Sequence, residues 1–151
     1  MRFKQVNDLL NYLVTVHQTI RDYYVKMEEE SCQERSKLLL QFMQQCEDEA
    51  CNNIRAFQDD ASKAVLDTWS DAVFDADPLA PLANLEIHPY LGSDEIVSLA
   101  TDVAQALIDQ LERLVEEAPT DGTHETLENI ITSEKNRLHK LVHSTHRLDD
   151  M

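Results

Sequence analysis

Three ionisable residues, His17, Glu49 and Glu134, stand at positions where the sequence pattern calls for an apolar side chain. Each interrupts a series of apolar residues spaced by three and four positions, which is the spacing of one face of a helix. A charged group on a buried face costs on the order of several kcal/mol unless it has a partner. That partner can be a metal ion, a cationic side chain or a proton, and each choice implies a different chemistry.

A polar residue follows each glutamate by three positions, which is close to one helical turn. The two pairs are Glu49-x-x-Asn52 and Glu134-x-x-Arg137. Because a guanidinium stays protonated and only donates hydrogen bonds, Arg137 cannot bind a metal and would instead supply positive charge among carboxylates. The alternative is that the helix faces are turned and these polar residues point to solvent.

The two halves of the chain repeat one spacing. His17 precedes Glu49 by 32 residues and Asp102 precedes Glu134 by the same number, as an internal duplication would produce. Asp102 lies beside the apolar face of its predicted helix, where Gln110 is an alternative inward polar residue. The predicted central polar cluster consists of His17, Glu49, Asn52, Asp102, Glu134 and Arg137.

The first two of four long helices are predicted to form an antiparallel hairpin. The first begins at Val6 and ends near residues 28–30, and Ser31 with Glu34 matches a capping box that starts the second helix at once. So short a connection makes neighbouring helices antiparallel. The predicted inward face of the second helix is Leu39, Phe42, Cys46, Glu49, Asn53 and Ala56.

A long crossover at about residues 58–92 is predicted to join this hairpin to a second one. Within it, Asp59 or Asp60 can cap a short extra helix that packs through Trp69 and its neighbours. The proline-containing stretch 77–82 then prevents regular helix. The crossover is therefore expected to have structure of its own.

The second hairpin is predicted to contain the third and fourth long helices. The third opens at Ser93 and stops at residues 118–119, and Thr123 is expected to cap the fourth. The predicted inward residues are Ile96, Leu99, Val103, Leu107, Leu111 and Leu114 on the third helix, and Leu127, Ile130, Leu138, Leu141 and Leu148 on the fourth.

The composition favours one all-helical domain over residues 1–151. Two glycines and four prolines are few for this length, so few tight turns are expected. The formal net charge of −16 argues against nucleic acid and anionic membranes as partners. The chain has no apolar run of about 18 residues, no apolar signal core and no CxxC spacing among its cysteines, so we expect a cytoplasmic protein with reduced thiols.

This pattern resembles the ferritin-like superfamily, and rubrerythrin-type domains in particular. Those domains have a hairpin, a long crossover and a second hairpin, with Glu on the first helix of each pair and Glu-x-x-His on the second, together holding two metal ions. The resemblance implies an all-α four-helix bundle. It also implies a di-iron or di-manganese site of the oxidase or peroxidase type, for which the matching positions are the six residues of the predicted cluster.

The departures from the family pattern lie at the metal ligands. Asn52 and Arg137 replace both motif histidines, and His17 replaces a first-helix glutamate. We therefore expect no cofactor and no enzymatic activity, but a binding or scaffold module that has lost its di-metal site and can have a protein partner. A retained iron or manganese site that uses the cluster as ligands is the alternative.

Two expectations concern the surface. The resemblance implies a homodimer, and Leu38, Leu40 and Val142 are apolar residues beside the inward faces that could form its interface. His139 and His143 are four residues apart, the separation at which two imidazoles can share one metal, and His146 follows three residues later. The alternative for these histidines is a solvated helix face.

Overall fold

Four long helices form the body of the protein. The structure is a computed structural model that describes residues 2–149. For residues 70–72 and 144–149 it describes the backbone alone. The first two of the long helices pack along each other, as do the last two, and the second also contacts both helices of the second pair. The predicted all-α bundle of two hairpins joined by a long crossover is confirmed. In chain order the elements are β1 (Arg2–Gln5), α1 (Val6–Glu30), α2 (Glu34–Asp60), α3 (Lys63–Leu66), β2 (Trp69–Val73), α4 (Ala80–Ala83), α5 (Ser93–Glu116) and α6 (Asp121–Asp149).

The apolar faces of the long helices meet in one core. All six predicted inward residues of α5 are buried. On α1 the buried face runs the whole length of the helix through Val6, Leu10, Leu13, His17, Ile20, Tyr24 and Met27. Each Leu or Ile moved out of water in this way contributes about 1.5 to 3 kcal/mol. On α6, Leu127, Ile130 and Leu141 are buried and Leu138 is half-buried, whereas the side chains of His146 and Leu148 lie outside the described residues.

The helix caps differ from those predicted. Ser31 does not form a capping box, because its hydroxyl instead accepts a hydrogen bond from the backbone N–H of Gln33, the residue that precedes α2. Thr120 replaces Thr123 as the cap of α6, with its hydroxyl accepting from the Thr123 N–H at 3.1 Å. Asp59 and Asp60 belong to the last turn of α2, and α3 is capped by Ser62.

The predicted short extra helix is present only as the four residues of α3, and a short strand follows where that helix was expected to pack through Trp69. Strand β2 pairs antiparallel with β1, so that Phe3 lies opposite Ala72 and Gln5 opposite Trp69. Trp69 is 70% exposed and does not pack inside, which contradicts the prediction. The aromatic core of this region is formed instead by Phe3, Tyr12 and Phe74, with ring centroids 5.1 to 5.6 Å apart.

The face that α2 turns inward also differs from the predicted one. Of the six predicted inward residues, Leu39 and Cys46 are buried and Phe42 is half-buried, whereas Glu49, Asn53 and Ala56 are exposed. The other buried residues along this part of the helix are Met43, Glu47, Ala50, Cys51 and Ile54. Leu40, which was predicted to flank the core, is fully buried within it. The helix is thus rotated about its axis relative to the prediction, which places a different glutamate in the centre of the bundle.

Across the residues whose structure is described, no helix combines the length and the apolar character needed to cross a bilayer.

Candidate functional site

His17 lies at the centre of the bundle and is fully buried. It comes from the middle of α1, where it takes the place of an apolar residue in the inward series. Its Nδ1 atom lies 2.6 Å from Oε2 of Glu47 on α2, and its Nε2 atom lies 2.7 Å from Oε1 of Glu134 on α6. A single imidazole therefore connects three helices.

The protonation state of His17 follows from these two hydrogen bonds. A carboxylate oxygen accepts, so each ring nitrogen must carry a proton when both glutamates are ionised. Burial is the largest influence on the pKa of His17 and lowers it. The charge of Arg137 also lowers the pKa. The charges of Glu134 and Glu47 and the hydrogen bond to Glu134 raise it, and because these effects are larger in sum, the pKa of His17 is raised above 6.5.

Arg137 completes the site from α6. One helical turn after Glu134, it donates a hydrogen bond from Nη2 to Oε2 of that glutamate. Burial would raise the pKa of Glu134, but the charges of His17 and Arg137 and their hydrogen bonds lower it from 4.5 to about 2. Two cations thus face two carboxylates, so the group carries no net charge, which is how buried charges are tolerated.

A small cavity of about 30 Å³ lies beside His17 and Glu47. It has room for a water molecule but not for a substrate. Helix α5 lines it with the apolar side chains of Ala100, Val103 and Leu107. The polar cluster is therefore built by three helices, with the fourth acting as an apolar wall.

Tyr24 and Cys46 also line this cavity. Burial, and then the charge of Glu47, raises the pKa of Tyr24 well above 10. Burial is also the main cause of the raised pKa of the Cys46 thiol. Both groups therefore stay protonated near neutral pH, and a neutral thiol is a weak nucleophile.

The structure brings three of the six predicted cluster residues together: His17, Glu134 and Arg137. The other three, Glu49, Asn52 and Asp102, are exposed, so their predicted central position is wrong.

Glu49 lies within 3.4 Å of Lys140 in a surface ion pair, with 60% of its side chain exposed. Asp102 stands next to Val103, on the outer side of the apolar face of α5.

Gln110, the alternative to Asp102, faces the crossover and not the centre. Its Oε1 atom accepts from the backbone N–H of Asp75 at 3.1 Å and from Nη2 of Arg113 at 2.9 Å. Arg113 also donates to the carbonyl of Val73, so the pair fastens the end of β2 to α5.

Glu47 is the central residue that the sequence interpretation missed. The signal that could have located it is the group Ala50, Cys51 and Ile54, which lies three, four and seven positions later on the same helix face. Glu47 follows His17 by 30 residues. The predicted repeat of 32 residues is therefore wrong, since it ran through the exposed Glu49 and Asp102. Ala104, 30 positions before Glu134, lines the central cavity, so the second half offers an apolar residue at the position that corresponds to His17.

The two predicted surface histidines do lie together. Nε2 of His139 is 2.9 Å from Nε2 of His143, and both rings are exposed on α6. Two imidazoles leave a metal with open positions that other ligands must fill. Within residues 2–149, as far as side chains are described, no group of three or more His, Cys, Asp or Glu residues is placed to hold a metal ion.

Comparisons with known proteins bear on the fold. No protein-family model and no curated protein matches this chain. A crystal structure from Thermotoga maritima does match; its protein is described, as an inferred assignment, as a ferritin-like diiron-carboxylate protein. The two chains are 19% identical, 95% of each is covered, and the TM-score is 0.60. The fold of this chain is ferritin-like, as the resemblance in the sequence predicted.

A di-metal centre of the ferritin-like kind can now be tested against the residues present. Such centres draw four carboxylates and two histidines from the four helices. Here the two Glu-x-x-His positions read Glu47-x-x-Ala50 and Glu134-x-x-Arg137, and α5 contributes Ala104. A guanidinium has no lone pair to give a metal, and both ring nitrogens of His17 are engaged by carboxylates. The residues do not fit a di-metal centre.

Proposed function

We propose that this chain is a single-domain ferritin-like protein that has lost its di-metal site and acts as a non-enzymatic binding or scaffold module. One observation carries the proposal: both ring nitrogens of buried His17 are bonded to the carboxylates of Glu47 and Glu134. Those glutamates come from the second helix of each hairpin, from which ferritin-like proteins take metal ligands. Here a protonated imidazole connects them.

Each residue of the cluster has a role in this proposal. His17 holds α2 and α6 at a fixed distance from α1, because one rigid ring reaches both carboxylates. Arg137 neutralises the second negative charge and engages the other oxygen of Glu134. No described buried side-chain nitrogen or oxygen lacks a hydrogen-bond partner. A satisfied and neutral centre of this kind stabilises the bundle without a metal.

The rival function is a di-iron or di-manganese enzyme of the oxidase or peroxidase type. Its support is the description of the Thermotoga maritima protein together with the two carboxylates and one histidine at the centre of this chain. For metal to bind, His17 would have to lose a proton and both glutamates would have to leave it. The opposing observation is that both carboxylates are already engaged, Glu47 by His17 and Glu134 by His17 and Arg137.

Metal analysis separates the two functions and is the first prediction. Protein purified without chelators, and then incubated anaerobically with Fe²⁺ or Mn²⁺, is expected to hold far less than one metal ion per chain by elemental analysis. Arg137→His is a useful companion, because it restores one Glu-x-x-His motif and removes the internal cation. Near-stoichiometric metal in the unmodified protein would reverse the proposal and favour the enzyme.

We also propose that the protein is a cytoplasmic homodimer. Cys32, Cys46 and Cys51 are free thiols, as is usual in a reducing compartment. Leu38 is 52% exposed and Val142 is 39% exposed, on helices that run side by side, and these side chains offer an apolar contact to a second copy. A different protein partner at this surface is the alternative.

A further inference from the structure

A groove runs along the outer side of the bundle between α2 and α6. It consists of two adjoining cavities, a polar one of about 400 Å³ and an apolar one of about 110 Å³. We call the two together the α2–α6 groove. The wall that they share consists of Ala50, Asn53, Asn129, Ser133 and Arg137.

Arg137 stands between this groove and the central cluster. It lines the central cavity as well as both parts of the groove, and 14% of its side chain is exposed. A guanidinium has five N–H donors in a planar fork. Within the described part of the chain, the hydrogen bond of Arg137 is the one from Nη2 to Glu134, so other donors of the fork can serve a ligand in the groove.

The polar part of the groove is lined by groups that bond to ligands readily. The amides and hydroxyls at its wall make no side-chain hydrogen bond to another residue among those described; they are Asn53, Asn129, Thr132, Ser133 and Asn136. Lys140 adds a second cation and lies 3.4 Å from Glu49, which it offsets.

The apolar part of the groove has the size of a small hydrocarbon group. Leu10, Ile54, Phe57 and Ile130 line it, together with the shared wall and with Glu134, whose carboxylate Arg137 engages. Its volume of about 110 Å³ is somewhat smaller than the cavity of about 150 Å³ that holds benzene in an engineered protein. A chain of a few carbons therefore fits, and its transfer from water into this cavity is favourable.

We propose that the α2–α6 groove binds a small monocarboxylate with a short apolar tail, with the carboxylate on Arg137 and the tail between Ile54, Phe57 and Ile130. The inference deepens the proposed function, since it rests on a metal-free centre in which Arg137 is held in place by Glu134. The planar fork of arginine matches a carboxylate better than a spherical ion. The net charge of −16 repels every anion and repels a monoanion least, so a singly charged ligand is favoured over a multiply charged one.

The test is a titration of the isotope-labelled full chain with hexanoate, followed by amide chemical shifts in NMR. Saturable shifts are expected around Ala50, Asn53 and Ser133, with a Kd on the order of 1 mM for a ligand of this size. Hexanamide has the same length and no charge, so it is expected to bind at least about tenfold more weakly.

Variants locate the site. Ser133→Phe fills the wall shared by the two cavities and is expected to abolish binding, whereas Glu125→Phe places the same ring at an exposed position of α6 that lines neither cavity and is expected to leave binding unchanged. Glu49→Gln removes a nearby negative charge and is expected to tighten binding about twofold. These positions lie outside the buried cluster, so the protein should remain folded.

Three results would each overturn the inference: no saturable shifts with hexanoate, equal affinity for hexanamide, or unchanged binding by Ser133→Phe. The metal analysis tests the proposed function independently of hexanoate binding. If the protein holds no metal and does not bind hexanoate, only the groove site is refuted. If it holds stoichiometric metal, the proposed function is refuted whether or not hexanoate binds.

Discussion

His17 connects carboxylates from two helices, which is the structural role that a metal ion has in a ferritin-like di-metal centre. Each ring nitrogen lies within hydrogen-bond distance of a carboxylate oxygen, at 2.6 and 2.7 Å. Well-packed apolar side chains could stabilise such a centre as much or more. The particular effect of the cluster is on register, since one imidazole reaches Glu47 and Glu134 only when α1, α2 and α6 are correctly aligned.

The cluster predicts a stability maximum between about pH 4.5 and pH 6.5. Glu134 has a lowered pKa of about 2, so its contribution is present above its ordinary value of 4.5 and is lost as the pH falls toward 2. His17 has a raised pKa, so its contribution is present below 6.5 and is lost as the pH rises through the folded value. The denaturant concentration at the unfolding midpoint should therefore be highest in this pH range, and it should decrease both below about pH 4.5 and above about pH 6.5.

His17→Gln is the control for the alkaline side of this profile. Glutamine cannot be charged, so the variant should be less stable below pH 6.5 and should lose the decline above it that His17 causes. The charged groups that act on the pKa of His17 are Glu47 from α2 and Glu134 with Arg137 from α6. Parallel profiles for the two proteins would mean that His17 is not an imidazolium in the folded state.

Two glutamates on α2 give a matched pair of substitutions. Glu47→Gln leaves His17 and Arg137 with one carboxylate in a buried site, and we expect a loss of about 3 kcal/mol in the free energy of unfolding. Glu49→Gln breaks a surface pair with Lys140 and should cost less than about 1 kcal/mol. Urea denaturation of both variants at neutral pH makes the comparison, and similar costs would contradict the assignment of Glu47 to the centre.

At the residue level the sequence could predict His17, Glu134 and Arg137, because α1 and α6 carry strong apolar series around them. It could not place the glutamate of α2 in the same way. In the turn after Glu47 that helix has only small or weakly apolar inward residues, Ala50 and Cys51, and an equally regular series passes through Glu49. When apolar residues are small, the direction of burial is set by tertiary packing.

At the level of elements, the long helices were predictable and the strands were not. Helix periodicity persists over about 25 residues in each case, and the predicted starts at Val6 and Ser93 agree with the structure. The strands β1 and β2 have only four and five residues, too few for a periodic signal. Their pairing depends on contacts between the N-terminus and the crossover, which local sequence does not show.

The strand pair itself can be tested at Phe3. This side chain is 2% exposed and contacts Tyr12 and Phe74, so Phe3→Ala should cost about 3 to 5 kcal/mol through the cavity it leaves. Trp69→Ala, on the paired strand, removes a larger but 70% exposed ring and should change stability by about 0.5 kcal/mol or less. Thermal unfolding compares the two, and an equal or reversed order would contradict the packing of β1 against α1.

At the level of the whole molecule, net charge and exposed apolar residues act in opposite directions. A formal charge of −16 on each chain makes two copies repel each other. Leu38 and Val142 favour contact, since both are apolar and exposed on the bundle. Salt screens the repulsion and leaves apolar contacts nearly unaffected, so self-association should strengthen as ionic strength rises.

We therefore expect light scattering to report twice the mass of one chain, with the dimer fraction increasing with salt. Leu38→Lys should give the monomer. The added positive charge reduces the repulsion between two acidic chains, so a monomeric variant could not be attributed to charge and would identify an apolar interface. Tyr90→Lys introduces the same charge at a 71% exposed aromatic in the crossover and should remain dimeric. A monomer at every salt concentration in the unmodified protein would rule out the homodimer.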